Sequence, residues 1–145
     1  VFLARTSAAR VALVGRREVD DAIRAKLDRV RAVGGEAEYF AADAADPVAL
    51  AAVVSEVRRR WGPVTGAIHS ALVLRDGTLD RMTADAFDEV VRPKADGGLA
   101  LARAVAGEPL DYLAFFSSAN ALPGAAGQGN YAAGCAYQDA LAARL

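Results

Sequence analysis

The chain contains 145 residues, with 17 Lys and Arg against 18 Asp and Glu, so its formal net charge is −1. This balance gives no electrostatic case for binding nucleic acid or an acidic membrane surface. The one cysteine excludes an internal disulfide and suits a reducing compartment, so we expect a cytoplasmic protein. Hydrophobic residues form 54% of the chain, enough for one domain with a core, yet no apolar run approaches the ~20 residues that span a bilayer.

Strand-like and helix-like patterns alternate along the first half of the chain. Residues 10–15 form a short apolar run typical of a buried strand, and residues 36–42 form the next. Residues 20–33 have helical spacing of apolar positions and stop at a glycine pair. The segment 46–61 begins with an aspartate followed by proline, which predicts a capped helix.

The same alternation continues to the end of the chain. Residues 64–69 and 110–118 predict strands, and residues 83–104 and 128–145 predict helices. Alternating strands and helices favour an α/β fold, a Rossmann-like doubly wound parallel sheet with helices on both faces.

Both ends of the sequence lack parts that such a fold normally has. A dinucleotide-binding unit begins with a strand, a glycine-rich turn and a helix facing the pyrophosphate, but no G-x-G-x-x-G motif occurs here. Residues 1–8 resemble the last turns of the helix after that motif. We therefore expect residues 1–145 to be part of a larger domain, truncated at both ends, without its first strand or its C-terminal strand and lid.

Three polar residues at fixed spacings suggest carbonyl chemistry. Ser118 ends the strand of residues 110–118, Tyr131 follows thirteen residues later, and Lys94 precedes Ser118 by twenty-four. A phenol has a pKa of about 10, and a nearby ammonium lowers it. A serine hydroxyl can bind a substrate carbonyl, so the three side chains could protonate a carbonyl oxygen while hydride arrives at its carbon.

These residues resemble the ketoreductase domains of modular polyketide synthases, which belong to the short-chain dehydrogenase/reductase superfamily. Most of that superfamily places its lysine four residues after the tyrosine, where this chain has Cys135. The polyketide synthase domains instead take the lysine from an earlier Arg-Pro-Lys segment, here Arg92 to Lys94, and usually have asparagine at the position of Cys135. Residues 131–135 look closest to synthases that borrow acyltransferases in trans.

The resemblance implies an NADPH-dependent enzyme that reduces a β-ketoacyl thioester, held on an acyl carrier protein among neighbouring synthase domains, to a β-hydroxyacyl thioester. Tyr131 would donate the proton, Ser118 would bind the carbonyl oxygen, and Lys94 would tune Tyr131. A non-catalytic scaffold domain and a fatty-acid-type carrier protein reductase remain as alternatives.

Arginines at the end of the first predicted strand suggest the cofactor. Arg16 and Arg17 follow this strand, with no acidic residue beside them, and arginine there accommodates the 2′-phosphate of NADPH. The resemblance assigns Arg16 to the phosphate ahead of Arg17; both could instead be solvated surface charges. Asp43 ends the next strand, where the resemblance implies a contact with the adenine ring; Asp43 could instead simply cap the loop that follows it.

His69 ends the third predicted strand, and Ser70 and Ala71 follow it, where the superfamily packs backbone against the cofactor ribose. The lone histidine is a candidate general base, but a buried, hydrogen-bonded structural histidine is more common. One histidine and one cysteine also speak against a protein metal site.

Cys135 departs from the family pattern, since asparagine at this position can hydrogen-bond the lysine and a thiol is a weak donor and acceptor. It lies one helical turn after Tyr131, on the same face. Either a water or a backbone group replaces the missing amide, or activity is reduced. No second histidine supports a nucleophilic role for Cys135.

The segment Leu74-Arg75-Asp76 bears on stereochemistry. Family members that form the D-configured alcohol usually have Leu-Asp-Asp here, which makes Asp76 the matching aspartate, and Pro123 stands where the opposite type has tryptophan. The resemblance therefore implies a D-alcohol, although Asp76 could only form a turn. Gln128 and Asn130 flank the glycine-rich approach to Tyr131 and are expected at the substrate cleft.

Overall fold

The computed structural model describes residues 1–145 as an α/β arrangement, which confirms the predicted fold class. The elements follow in the order α1 Phe2–Ser7, β1 Val11–Gly15, α2 Asp21–Arg31, β2 Ala37–Ala41, α3 Pro47–Trp61, β3 Gly66–His69, α4 Ala84–Ala104, β4 Tyr112–Phe115, a 3₁₀ turn Ala119–Ala121 and α5 Gly129–Ala142. No helix combines the length and the hydropathy needed to cross a membrane.

Side-chain caps set the starts of three helices. Asp20 accepts a hydrogen bond from the N–H of Ile23 at 2.7 Å, and Asp46 accepts from the first turn of α3. Thr83 accepts from the first turn of α4 in the same way. Each cap satisfies N–H groups that have no partner within the helix, so these helix starts follow directly from the local sequence.

The strands pair in parallel, as the alternation predicts. β1 pairs with β2 in a register that joins Val11 to Ala37, and β3 pairs with β4 in a register that joins His69 to Phe115. Parallel strands place their carboxyl ends at one edge, so the residues that follow each strand share one side of the molecule.

The sheet is divided into two halves, because β1 and β3 form no hydrogen bonds with each other. Their facing edges border a cavity of about 930 Å³, the inter-strand groove, which is lined by residues 11–14 and 66–69. Val14 and Ile68, one on each side, stay 37% and 45% exposed. Residues 1–145 therefore form parallel pairs without joining them into one continuous sheet.

Two packed regions hold the elements together. One cluster joins α1, α2 and β2, and consists of Ala4, Ile23, Leu27, Val30 and Ala37. The other lies between α4 and α5, where glycines allow close approach: a Cβ added to Gly98 would contact Phe115, and one added to Gly134 would lie 3.1 Å from Cδ of Lys94. This second region positions the residues of the candidate site.

Candidate active site

The three residues predicted to act together converge where α4 and α5 pack beside the carboxyl end of β4. Lys94 lies in the middle of α4, Tyr131 in the first turn of α5, and Ser118 just after β4. The ammonium nitrogen of Lys94 lies 5.2 Å from the ring centroid of Tyr131. A cation at this distance over an aromatic face is attracted by the ring quadrupole.

Lys94 is a buried cation, only 3% exposed, although it follows a proline inside a helix. Its Nζ donates to the carbonyl of Phe116 at 2.9 Å and to Oε1 of Gln138 at 3.0 Å. A buried charge is tolerated only where hydrogen bonds replace its lost hydration, and these two acceptors supply them.

The surroundings of Tyr131 raise the pKa of its phenol. Burial is the main cause, followed by the contact with Cys135, while the hydroxyl of Ser118 acts in the opposite direction. We expected the Lys94 ammonium to lower this pKa, but it lies over the ring of Tyr131. Burial and the contact with Cys135 therefore outweigh the effect of Ser118 on this pKa, and the phenol is the protonated form near neutral pH.

The serine pair after β4 divides into two environments. Ser118 accepts a hydrogen bond from the N–H of Asn120 at 3.2 Å and lies close enough to Tyr131 to influence its pKa. The hydroxyl of Ser117 is buried and has no partner. Ser118, which has the thirteen-residue spacing, is thus the serine that meets the tyrosine.

Cys135 is a fully buried free thiol on α5, beside Tyr131. We expected a water or a backbone group to replace the missing asparagine amide as a partner of Lys94, or activity to be reduced. A backbone group does so, because the carbonyl of Phe116 accepts a hydrogen bond from Lys94. A second acceptor, the side chain of Gln138, escaped the sequence reasoning. The available signal was its place on α5, three residues after Cys135 and therefore on the same helix face.

A chain of hydrogen bonds joins the loop of residues 72–79 to the approach to α5. Gln128 donates to Asp76 at 3.0 Å and accepts from the side-chain amide of Asn120 at 3.0 Å. The N–H of Gly77 donates to the carbonyl of Gly127 at 2.8 Å. Asp76 is therefore more than a turn residue, because it fixes the orientation of Gln128.

Asn130 occupies a position that differs from our expectation of a substrate contact. Its side chain is fully buried, and its amide nitrogen donates to the carbonyl of Arg75 at 2.9 Å and lies 3.5 Å from that of Ala86. The side-chain oxygen accepts from the N–H of Tyr131 at 2.8 Å. Asn130 therefore fastens the loop to α4 and α5 and has no free polar atom to offer a substrate.

A second cavity, of about 320 Å³, lies at the carboxyl ends of β1 and β2. It brings together three residues predicted on the cofactor side, Arg16, Asp43 and Ala71, and adds Arg92, which the sequence reasoning did not assign. Arg17 does not line it; its guanidinium pairs with Asp20 at 3.1 Å. Ser70 lines the inter-strand groove instead.

Asp43 is held in place from two sides. Its carboxylate accepts from the N–H of Ala45 at 2.9 Å and from Arg92 at 3.1 Å. The pKa of Asp43 is lowered, chiefly by the backbone hydrogen bond from Ala45 and then by Arg92, against the effect of burial. The loop-capping role considered for Asp43 is therefore present.

His69 is 3% exposed at the end of β3, and its Nδ1 lies 2.7 Å from the amide nitrogen of Gln138. Its Nε2 makes no hydrogen bond. The backbone of Pro93 acts to raise the pKa of His69, but its effect is the weaker one. Burial, and then the charge of Lys94, lower the pKa of His69. A buried neutral histidine fits a structural role. No group of three or more potential metal ligands occurs in the chain.

The model of the KR domain family matches residues 1–145. The chain belongs to the ketoreductase domain family. It is 47% identical over 143 residues to polyketide synthase ThaG of Burkholderia thailandensis, covering 99% of this chain but 2% of that protein. The chain thus spans only a small part of the length of that relative.

Solved structures agree with this assignment. An N-terminal ketoreductase from the macrolactin assembly line superposes with a TM-score of 0.96 at 29% identity, over 99% of this chain and 30% of that one. A short-chain dehydrogenase from Burkholderia cenocepacia J2315, solved in complex with NADP, superposes with a TM-score of 0.81 at 26% identity, over 91% of this chain and 55% of that one. The fold of this ketoreductase segment is one that uses a nicotinamide cofactor.

Proposed function

We propose that residues 1–145 carry the catalytic residues of an NADPH-dependent reductase that converts a β-ketoacyl thioester to a β-hydroxyacyl thioester during polyketide biosynthesis. The observation that carries this proposal is the convergence of Lys94, Ser118 and Tyr131 from three separate elements. A reductase needs such groups to bind the carbonyl oxygen of its substrate and to give that oxygen a proton.

Each side chain has a distinct part in the reaction. The hydroxyl of Ser118 donates a hydrogen bond to the substrate carbonyl oxygen, and the phenol of Tyr131 gives that oxygen its proton. A phenol is protonated near neutral pH, and the surroundings of Tyr131 shift its pKa upward, so Tyr131 begins the reaction with its proton. Once the proton has left, the ring carries a negative charge, which the ammonium of Lys94, 5.2 Å from the ring centroid, attracts and stabilises. NADPH, when bound, supplies the hydride to the carbonyl carbon.

The cofactor assignment is supported by the cavity at the ends of β1 and β2. Arg16 and Arg92 supply two cations to this cavity, and the carboxylate of Asp43 already accepts from Arg92. Arg16 is therefore the arginine left to bind the 2′-phosphate of NADPH. Its guanidinium can donate two parallel hydrogen bonds to one phosphate. The relative solved with NADP has the same fold.

We further propose that the substrate is carried by an acyl carrier protein and that neighbouring synthase domains supply and remove it. The kinship to a polyketide synthase supports this reading over a fatty-acid-type reductase. Asp76, which accepts a hydrogen bond from Gln128 at 3.0 Å, matches the aspartate of family members that form the D-alcohol, and we propose a D-configured product on that resemblance. The complete domain would extend beyond residues 1–145.

The test is turnover by the full-length chain that contains these residues. We expect oxidation of NADPH on adding a short β-ketoacyl N-acetylcysteamine thioester, and a D-configured product on a chiral column. NADH should be used at least about tenfold less well, because it lacks the 2′-phosphate that Arg16 would bind. Binding of NADPH without any turnover would instead support the scaffold alternative.

A further inference from the structure

Gln138 is a buried polar side chain that the proposed reaction leaves without a role. It lies on α5, has no exposed surface, and is the largest of the fully buried side chains. Burying an amide costs about 1–3 kcal/mol unless its hydrogen bonds are replaced. The position therefore calls for specific partners, and it has two.

The two partners determine how the amide is oriented. Lys94 can only donate, so the atom of Gln138 that meets it at 3.0 Å must be the oxygen Oε1. The amide nitrogen then faces Nδ1 of His69 at 2.7 Å and donates to it. His69 is consequently the neutral tautomer that carries its proton on Nε2, and it holds the amide with its oxygen towards Lys94.

This arrangement fixes the direction of the Lys94 ammonium. Two of its three N–H groups are committed, one to Gln138 and one to the carbonyl of Phe116 at 2.9 Å. Phe116 follows β4 and Gln138 lies on α5, so the nitrogen is held between two elements, 5.2 Å from the ring centroid of Tyr131. One N–H remains for the tyrosine side.

We propose that Gln138 is a positioning residue of the reductase: its amide, anchored by His69, holds the ammonium of Lys94 in the place where it can stabilise the phenolate of Tyr131. The inference rests on the proposed function. Cys135 lies between Tyr131 and Gln138 on the same face of α5, fully buried, and its thiol is too weak an acceptor to replace the amide.

The kinetic test compares variants of the full-length chain. Gln138→Met keeps the volume and removes the acceptor, so we expect kcat to fall about 10- to 100-fold while KM for NADPH changes less than threefold, because a small misplacement of a catalytic group has effects of this size. Gln138→Glu keeps an acceptor for Lys94 and should retain kcat within about threefold, a limit set by the same dependence on placement. Asp139→Asn, an exposed neighbour on α5, is the control and should leave kcat unchanged.

A rescue variant separates positioning from a merely structural role. Adding Cys135→Asn to Gln138→Met returns an amide one turn earlier on the same helix face. We expect kcat to recover at least about fivefold, because the placement of Lys94 is restored. Loss of folding stability alone would not be repaired in this way.

Chemical labelling of Lys94 gives a readout that does not depend on turnover. Residues 1–145 contain two lysines, and Lys26 is exposed on α2, so it serves as the internal reference. Reductive methylation followed by peptide mass spectrometry should modify Lys26 readily and Lys94 slowly. In Gln138→Met, labelling of Lys94 should rise at least about fivefold against Lys26, because an unheld ammonium is more mobile.

The outcomes are distinguishable. If the wild type reduces no thioester, but methylation of Lys94 rises only in Gln138→Met, the positioning inference stands and the proposed reaction fails. Unchanged kcat together with unchanged labelling in Gln138→Met overturns the inference. If that variant does not fold, Gln138→Glu decides: kcat within threefold and protected Lys94 support it, and a tenfold loss of kcat contradicts it.

Discussion

Close packing around Lys94 makes its placement sensitive to single atoms. Gly134 on α5 leaves room for the lysine stem, and a Cβ added there would lie 3.1 Å from Cδ and 3.3 Å from Cβ of Lys94. The lysine cannot retreat easily, because its nitrogen is bonded to Phe116 and Gln138. Position 134 therefore controls the direction of the ammonium.

Gly134→Ala should lower kcat about tenfold or more by displacing Lys94. The free energy of unfolding should fall by no more than about 2 kcal/mol, since about 1 kcal/mol of gained helix propensity offsets part of an overpacking cost of about 1–3 kcal/mol. Steady-state kinetics and thermal unfolding measure the two effects separately. Gly107→Ala is the matched control, because a Cβ there meets no atom within 4 Å, and equal kinetics for both variants would contradict this account.

His69 should make stability depend on pH. Burial lowers its pKa in the folded protein below the ordinary value of 6.5, so the unfolded chain binds more protons as the pH falls. The contribution of neutral His69 to the free energy of unfolding is fully present well above pH 6.5. It is lost as the pH falls through 6.5 towards the lower pKa of the folded protein. Urea unfolding between pH 7.5 and 5 should show this loss, and His69→Asn should show a flatter dependence; equal slopes would contradict it.

At the scale of elements, one buried asparagine joins the loop of residues 72–79 to two helices. Asn130→Ala would leave the carbonyl of Arg75 without its partner and the N–H of Tyr131 without its acceptor. We expect the free energy of unfolding to fall by about 2 kcal/mol, the usual cost of unsatisfied buried groups. Chemical denaturation measures it, and Gln128→Ala, a less buried neighbour, should cost less than about half as much by the same reasoning.

Local chemistry explains why the elements could be predicted. Asp20, Asp46 and Thr83 each begin the helix that their sequence context indicates. β4 is shorter than predicted, because the chain turns away after Phe115 into the 3₁₀ turn that Ser118 caps. Such a turn depends on tertiary contacts and has no strong local signal.

The candidate site divides in the same way. The spacing of Lys94, Ser118 and Tyr131 identified residues that the fold does bring together, whereas Gln138 and Arg92 escaped notice. Both act through partners distant in sequence, His69 and Asp43, and a linear pattern does not contain that pairing. Asn130 was expected at the substrate cleft, but its side chain is fully buried, and that burial could not be predicted from one sequence.

At the scale of the whole molecule, the inter-strand groove leaves the facing edges of β1 and β3 without hydrogen-bond partners. Residues 1–145 also contain no glycine-rich G-x-G-x-x-G turn to bind a pyrophosphate. We therefore expect residues 1–145 alone to bind NADPH at least about tenfold more weakly than the full-length chain, since a lost phosphate site costs well over one hydrogen bond. Titration by cofactor fluorescence measures both, and equal affinities would contradict this view.

The central claim is that Tyr131 protonates the substrate carbonyl oxygen in a site completed by Lys94 and Ser118. The most direct measurement is NADPH-dependent reduction of a β-ketoacyl N-acetylcysteamine thioester by the full-length chain carrying Tyr131→Phe. We predict a loss in kcat of about 10²- to 10⁴-fold, the usual contribution of a general acid, with NADPH affinity and thermal stability retained. Turnover close to that of the wild type would show that another group delivers the proton.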